Sequence, residues 1–238
     1  MPTPLPEDWV RLHQVRPGVR QHVLGNLPLI SFFRDAPATR AFDLLRSRLL
    51  QGIKAQGWRR IAIAAPTSGC GATFTAVNLA LSLARIPDRR IILMDLNQRD
   101  PGVARALDIQ GHGDMRGFLQ GEVDAVQHLV RIGDTLALGL SDHADSSAAE
   151  LLHAPEAGAI LDELGDRFDA DVVLYDLPAV LEHDDFLACL PHVDGVLLIS
   201  DGTQTSAAQI AACEQVMGDQ AGLLGVVLNR ARASSAEV

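Results

Sequence analysis

Lysine and tyrosine are almost missing from this 238-residue chain. Lys54 is the single lysine, so arginine supplies every other basic residue, and a mechanism that needs a lysine has almost no residue to use. Tyr175 is the single tyrosine, and it lies in an apolar run that we predict to be a buried strand. A role that requires an exposed tyrosine is therefore not expected.

Cysteine, histidine and long apolar runs are also sparse. The three cysteines are unclustered and odd in number, which fits neither a disulfide framework nor a zinc spacing, and the eight histidines include no pair at ligand spacing. No stretch offers about 18 uninterrupted apolar residues, and residues 1–30 lack the pattern of a secretory leader. We therefore expect a cytoplasmic protein that reaches the inner face of the plasma membrane only through a partner.

Charge and length narrow the class further. The formal net charge of −10 argues against a broad surface for nucleic acid, so no nucleic-acid partner is expected. Hydrophobic residues make up 47% of the chain, which is enough for a large core. Residues 1–35 hold five of the twelve prolines and show no sustained period. We predict that they form an N-terminal arm and that residues 36–238 form one domain.

Short apolar runs alternate with helical stretches along this domain. The runs are apolar throughout, which is typical of strands covered by helices on both faces of a sheet. The alternation predicts an α/β fold with a doubly wound, mainly parallel sheet. The predicted strands are Ile61–Ala65, Ile91–Met94, Leu136–Leu140, Val172–Tyr175, Val196–Ile199 and Leu224–Leu228. The predicted helices are Ala38–Lys54, with Phe42, Leu45, Leu49 and Ile53 on one face, and Thr73–Arg85, Pro155–Arg167 and Ser206–Met217.

A glycine-containing loop follows the first of these strands and leads directly into a helix. Its residues are Ala65-Pro66-Thr67-Ser68-Gly69-Cys70-Gly71-Ala72-Thr73. Gly69 and Gly71 let backbone N–H groups curl around an anion, and the start of the helix adds the positive end of its dipole. The hydroxyl of Thr73 stands where it would reach Mg²⁺. The loop indicates a phosphate site, although tight packing at a strand-to-helix turn produces the same pattern.

Polar residues follow three other predicted strands, and the carboxyl ends of parallel strands meet at one edge of a sheet. Asp95 and Asn97 follow the second strand, and Asp176 follows the fourth. Asn229-Arg230 follows the last strand, where the pair would either frame a nucleotide base or form a simple turn. Together with the loop, these strand ends predict a site for a magnesium-bound nucleotide.

These motifs resemble the bacterial tyrosine autokinases (BY-kinases of the CpsD/CapB type) of capsule and exopolysaccharide systems, which are related to the MinD and ParA ATPases. The resemblance covers roughly residues 36–231. It rests on the loop at 65–71, Asn78-Leu79-Ala80, Leu93-Met94-Asp95 with Arg99 and Pro101, Ala149-Glu150-Leu151-Leu152, Asp176-x-Pro178, and the segments 194–198 and 225–230. It implies a P-loop NTPase fold, ATP or ADP with Mg²⁺ as cofactor, and tyrosine-kinase-like activity.

The resemblance also implies a role for each residue of the site. Catalysis would fall to Asp95, Asn97 and Asp176, and Mg²⁺ would be held by Thr73 and Asp176. The nucleotide would contact Gly69, Cys70, Gly71, Ala72, Thr73, Phe74, Asn229 and Arg230.

Departures from the family pattern imply that catalysis is impaired. Ala72 stands in place of the phosphate-loop lysine, Phe74 in place of the second serine or threonine, and Asn97 in place of one of two aspartates. The lysine neutralises phosphate charge, and losing one transition-state donor typically costs about 10²–10³ in rate. The chain also ends without the family's tyrosine cluster. We therefore expect nucleotide binding that is weak or absent, and no fast turnover.

Three functions stay open. The first is a catalytically impaired protein with a regulatory or scaffolding role in exopolysaccharide or capsule biosynthesis or export. The second is an active ATP-dependent kinase or ATPase of the same pathway that uses a non-standard cation, for instance Arg99 or an arginine of a neighbouring subunit. The third is a ParA/MinD-type positioning ATPase, which is disfavoured because the chain lacks the additional loop lysine of that group.

Partners are implied by the resemblance alone. Relatives dock on the cytosolic tail of a membrane-embedded protein that regulates polysaccharide chain length or export, and on each other. The polar face of the first predicted helix is the expected docking surface, and its residues are Arg40, Asp43, Arg46 and Arg48. Because Arg40 replaces an acidic family residue, we expect contact with an intact kinase paralogue rather than a closed homomeric ring. The alternative is a solvated face with an Arg40–Asp43 pair inside the helix.

Overall fold

The computed structural model describes residues 4–18, 37–110, 113–141 and 143–231. The strands in these ranges are β1 (His13–Gln14), β2 (Arg60–Ala64), β3 (Ile91–Asp95), β4 (Val130–Ile132), β5 (Leu136–Gly139), β6 (Val172–Asp176), β7 (Gly195–Asp201) and β8 (Gly222–Asn229). They form one sheet in the order β1-β4-β5-β3-β6-β2-β7-β8.

Ten α-helices lie in the same ranges. They are α1 (Glu7–Arg11), α2 (Pro37–Gln56), α3 (Ala72–Leu83), α4 (Val103–Leu107), α5 (Met115–Leu119), α6 (Ala125–His128), α7 (Ala148–Leu152), α8 (Pro155–Arg167), α9 (Asp185–Cys189) and α10 (Ala207–Met217), with a 3-10 turn at Leu190–His192. No helix in the described parts of the chain is long and apolar enough to cross a membrane.

The sheet is mainly parallel, as the sequence predicts. Strands β5, β3, β6, β2, β7 and β8 run in one direction, and β4 runs antiparallel to β5. Alternate side chains of each central strand enter two separate cores, because successive residues of a strand point to opposite faces. Ile61 and Ile63 of β2 join the core beneath α2, α3 and α4, whereas Ala62 and Ala64 join the core on the other face. Helices therefore cover both faces, and the predicted P-loop NTPase fold class is confirmed.

The predicted elements match the observed ones to within one or two residues at most ends. The helix α8 has the predicted bounds, and Ser206 caps α10 by accepting a hydrogen bond from the backbone N–H of Gln209. On α2 the predicted apolar face is present, with Leu49 and Ile53 buried and Phe42 and Leu45 packed beside them. The sequence pattern missed β1 and β4, which are two and three residues long and carry no apolar run.

The N-terminal residues belong to the folded body as far as they are described. Trp9 is fully buried, and its ring packs edge-on against Phe168 at a centroid separation of 6.4 Å. Strand β1 extends the sheet by pairing in parallel with β4. The predicted boundary between arm and domain falls within residues 19–36, which lie outside the described residues, so that boundary stays a prediction.

Candidate nucleotide-binding site

The glycine loop after β2 has the backbone conformation that an anion cradle requires. Gly69 and Gly71 have φ angles of 81° and 94°, a region that residues with a side chain rarely adopt. A Cβ atom on Gly71 would also lie only 2.4 Å from the side-chain nitrogen of Asn229. That nitrogen donates a hydrogen bond of 2.9 Å to the carbonyl of Cys70. The loop therefore needs glycine at position 71, and Asn229 holds the loop in place.

Cys70 links the loop to the turn that follows β7. Its side chain is buried, and its sulfur lies 3.5 Å from the Thr67 hydroxyl and 3.6 Å from the Thr205 hydroxyl. Asn229 and Cys70 thus fix the loop from two sides. The predicted role of Asn229 at a nucleotide base is untested, and its observed contact is with the loop itself.

Two buried aspartates face each other where β3 and β6 end. Asp95 and Asp176 are register partners on these neighbouring strands, and both are fully buried. Asp95 Oδ2 accepts hydrogen bonds from the backbone N–H groups of Gly102 and Val103, at 3.0 and 2.9 Å. Asp95 Oδ1 and both oxygens of Asp176 have no hydrogen-bond partner among the described residues. Three carboxylate oxygens are therefore buried without a donor.

The burial and proximity of these acids change their protonation. Burial raises the pKa of Asp95 to about 7, against the hydrogen bonds from the start of α4, which lower it. Burial and the neighbouring charge of Asp95 raise the pKa of Asp176 well above its usual value. The Thr73 hydroxyl lies near Asp176 and acts against this rise in its pKa, although neither Asp176 oxygen accepts a hydrogen bond from it. Unpartnered carboxylate oxygens beside a hydroxyl are the donor set that Mg²⁺ takes, so the site fits this ion.

A cleft of about 280 Å³ extends from the loop to the residues that follow β3 and β6, but Asp95, Asp176 and Asn229 do not themselves line it. The predicted residues that line it are Gly69, Cys70, Gly71, Ala72, Thr73, Phe74, Asn97, Arg99 and Arg230. Phe74 also has a packing role, because its ring meets Phe42 of α2 edge-on at 5.9 Å. Lys54, the single lysine of the chain, lies exposed on α2 and therefore does not replace the positive charge that is missing at Ala72.

Among the described residues, three arginines line the cleft, and two of them are held by buried acids. Arg99 donates to Asp185, whose side chain is fully buried, with a Nε to Oδ2 distance of 3.0 Å. Breaking a buried pair of this kind costs about 3–5 kcal/mol. Arg230 donates to the fully buried Asp201 at 2.6 Å and to the Gly69 carbonyl at 3.0 Å. Arg99 and Arg230 are therefore bound to acids of the protein and are not free to bind a ligand.

Arg105 differs from the other two and was not predicted from the sequence. It pairs with Asp100 at 3.3 Å, and the side chains are 64% and 77% exposed. Exposed pairs contribute about 0–1 kcal/mol, so this one exchanges partners at little cost. Arg105 lies on α4, the helix whose first N–H groups bind Asp95, and its charge lowers the Asp95 pKa.

Glu182 is a second residue that sequence reasoning missed. Its carboxylate accepts a hydrogen bond of 3.0 Å from the backbone N–H of Ser68 and contacts the Ser68 hydroxyl. The two Ser68 donors lower the pKa of Glu182. An acid thus occupies one N–H group at the start of the loop. Because 114 residues separate the two partners, no local sequence pattern predicts this contact.

The arrangement defines a class of protein. A parallel sheet whose strand β2 leads through a glycine loop into α3, with buried acids at the ends of β3 and β6, has the P-loop NTPase fold. No family model and no curated protein matches the chain.

Solved structures share this fold with the chain. The kinase domain of the Escherichia coli tyrosine kinase ETK is similar at 20% identity and a TM-score of 0.78, over 94% of this chain and 89% of that chain. The VpsO kinase domain is similar at 22% identity and a TM-score of 0.72, over 82% of this chain and 97% of that chain. The predicted resemblance to bacterial tyrosine kinase domains is confirmed at the level of the fold.

A third solved structure contains ligands. Cobyrinic acid a,c-diamide synthase from Mycobacterium smegmatis, solved with an ATP analogue and magnesium, is similar at 21% identity and a TM-score of 0.56 over 72% of each chain. Nucleotide and magnesium are therefore used by a protein with a related fold.

The buried acid pair predicts a measurable gain in stability when one charge is removed. An aspartate with a raised pKa is protonated more readily in the folded state, so the free energy of unfolding falls as the pH rises from 3.8 to about 7. Asp176→Asn should raise the free energy of unfolding of the nucleotide-free protein at pH 8 by about 1–3 kcal/mol, the usual cost of an unsatisfied buried group. At pH 5 the gain should be smaller, because the folded wild type already carries protons at the pair.

Urea denaturation at both pH values measures this effect. Asp166→Asn serves as the control, since the Asp166 side chain is 79% exposed and should change stability little. An Asp176→Asn variant that is no more stable than the wild type at pH 8 would contradict the claim that the buried acid pair destabilises the folded protein.

Proposed function

We propose that this chain is a catalytically impaired, tyrosine-kinase-like P-loop protein that binds a magnesium nucleotide weakly. Its role is regulatory or scaffolding, in bacterial exopolysaccharide or capsule biosynthesis or export. The observation that carries the proposal is a formed phosphate cradle beside a buried acid pair, with Ala72 where a cation would stand. The fold likeness to two kinase domains supports the kinase-like part.

The cofactor would use the groups that the site leaves without partners. Asp95, Asp176 and Thr73 would hold Mg²⁺, directly or through water, and the backbone N–H groups from Gly69 to Thr73 would bind phosphate oxygens. When bound, Mg²⁺ neutralises charge on the phosphates. Binding would also compensate the burial of the two carboxylates, which links the stability of the fold to the nucleotide.

Phosphoryl transfer is weakened at this site because positive charge is in short supply. Ala72 offers no charge to the terminal phosphates, while Arg99 and Arg230 are held by buried acids. Asp100 and Glu182 add negative charge around the cleft. Since phosphoryl transfer depends mostly on positioning and charge stabilisation, turnover should be slow.

Autophosphorylation on tyrosine lacks an acceptor in this chain. Tyr175 is fully buried in β6, and its hydroxyl donates a hydrogen bond of 3.1 Å to the carbonyl of Leu161. Burial raises the pKa of Tyr175 above its usual value, so the hydroxyl is also a poor nucleophile. A kinase-like role would therefore act on another chain or not at all.

A second candidate function is an active ATPase or kinase that uses a non-standard cation. The observation that favours it is the weakly held Arg105 among the residues that line the cleft. Arg99, the cation suggested by the sequence, fits this role less well because it is committed to Asp185.

Turnover measurements distinguish the two functions. The purified protein should release phosphate from Mg-ATP no faster than background. Ala72→Lys should raise the affinity for Mg-ATP about tenfold, the effect of one charge-assisted hydrogen bond. Turnover should recover only in part, because Phe74 and Asn97 persist.

Ala41→Lys provides the matched control, since it adds the same charge at an exposed position of α2. Steady phosphate release by the wild type, lost in Asp176→Asn, would favour the active enzyme over the impaired one.

The partner we propose is the cytosolic part of a membrane-embedded polysaccharide chain-length or export protein, with an intact kinase paralogue as a further contact. The exposed face of α2 presents Arg40, Leu44 and Arg48. Arg46 does not belong to this surface, because it is mostly buried and donates to the Ser82 carbonyl at 2.9 Å. Asp43 is held by Arg46, Ser82 and Arg85, so the expected Arg40–Asp43 pair is not the contact that this acid makes.

Affinity purification from the native host tests this surface. The wild-type protein should recover a component of a polysaccharide system, and Arg40→Glu with Arg48→Glu should reduce that recovery. Arg11→Glu is the control, because Arg11 is 60% exposed and lies on α1. The interface is wrong if the double charge reversal leaves recovery and polymer output unchanged.

A further inference from the structure

The start of α4 lies directly against the end of the phosphate loop. A Cβ atom added to Gly102 would come within 2.8 Å of the Thr73 side chain, so the two backbones approach closely at this point. Arg105 follows Gly102 by three residues, which places it on the same side of the helix. Its side chain lines the same cleft as Ala72 and Thr73. The fold therefore places the Arg105 side chain in the cleft that is also lined by Ala72, the position of the missing lysine.

The partners of the three cleft arginines decide which one can reach a ligand. Asp185 and Asp201, which hold Arg99 and Arg230, have no exposed side-chain surface, so releasing either arginine would leave a buried carboxylate without this charged partner. Asp100 is 77% exposed and would be solvated if Arg105 left it. Arg99 also pairs with the exposed Asp184 at 3.8 Å, but the buried Asp185 still holds it. Among the described arginines of this cleft, Arg105 is therefore the one that can exchange its acid partner for water without such a penalty.

We propose that Arg105 is the phosphate-binding cation of this site. In the nucleotide-bound protein its guanidinium leaves Asp100 and pairs with oxygens of the phosphates beyond the first one. The planar guanidinium suits this role, because it offers two parallel N–H donors to two oxygens of a phosphate. Asp100 competes with the ligand in the nucleotide-free protein. This inference rests on the proposed function, since it requires that the site binds a nucleotide.

Equilibrium binding of Mg-ADP and of AMP tests the role of Arg105. Arg105→Gln should weaken Mg-ADP binding about tenfold, as expected for one charge-assisted hydrogen bond, and should leave AMP binding unchanged. Arg89→Gln is the matched control, because Arg89 is a half-exposed arginine that pairs with one aspartate at the amino end of β3, away from the cleft. That control should bind both nucleotides as the wild type does.

A double-mutant cycle separates a direct exchange from general electrostatics. Asp100→Asn should strengthen Mg-ADP binding in the wild-type background and have little effect once Arg105→Gln is present, because Asp100 then has no arginine for which to compete with the ligand. An equal gain in both backgrounds would overturn the proposed exchange.

The outcomes distinguish this inference from the function on which it rests. If the wild type binds neither nucleotide, the proposed function fails and the inference fails with it. If the wild type binds Mg-ADP and Arg105→Gln binds it equally well, the proposed function stands and the role of Arg105 is refuted. Equal weakening of AMP and Mg-ADP binding would also refute it, since Arg105 would then not contact the distal phosphates.

Discussion

The site depends on two carboxylates that the sheet buries side by side. Parallel pairing of β3 with β6 puts Asp95 opposite Asp176, and neither strand can shift without moving apolar residues from one core to the other. Register therefore forces the acids together whether or not an ion is present. Two neighbouring buried acids without enough donors destabilise the charged form of a site, and carboxylates with raised pKa values are typical of functional sites. A bound divalent cation is the simplest way to relieve it.

The charges around the cleft explain why nucleotide binding and catalysis should separate. In the proposed function, the backbone of the loop, the acid pair and Thr73 position the phosphates and Mg²⁺; the loop has the backbone conformation of a cradle, and the two acids are register partners. The part that is missing is a permanent positive charge at position 72, and Arg99 and Arg230 are tied to Asp185 and Asp201. Arg105 lines the same cleft and pairs with the exposed Asp100, so it is the arginine that can turn to a ligand.

Local sequence patterns were sufficient for six of the eight described strands and for the four longest described helices, α2, α3, α8 and α10. Continuous apolar runs mark strands such as Ile91–Asp95, since both faces of the sheet are covered. Gly69, Gly71, Asp95 and Asp176 were predicted as site residues because parallel strand ends converge on one edge, and the structure places them at strand ends or in the loop after a strand.

The remaining features are set by contacts that no local pattern records. Strand β1 is two polar residues that pair with β4, a strand more than 110 residues away in the sequence. The roles of the arginines follow from the burial of their acids, which a charge pattern does not reveal. For that reason the sequence favoured Arg99 and overlooked Arg105, and it chose Arg46 as a surface residue although Ser82 holds it.

Electron paramagnetic resonance of Mn²⁺, used in place of Mg²⁺, measures whether the acid pair binds a metal ion together with a nucleotide. We expect the wild-type protein to bind Mn²⁺ more tightly when ADP is present, and Asp176→Asn to remove this coupling while the variant stays folded. Mn²⁺ binding that does not respond to ADP, or that is the same in Asp176→Asn, would contradict the assignment of the acid pair as the metal site of a nucleotide-binding cleft.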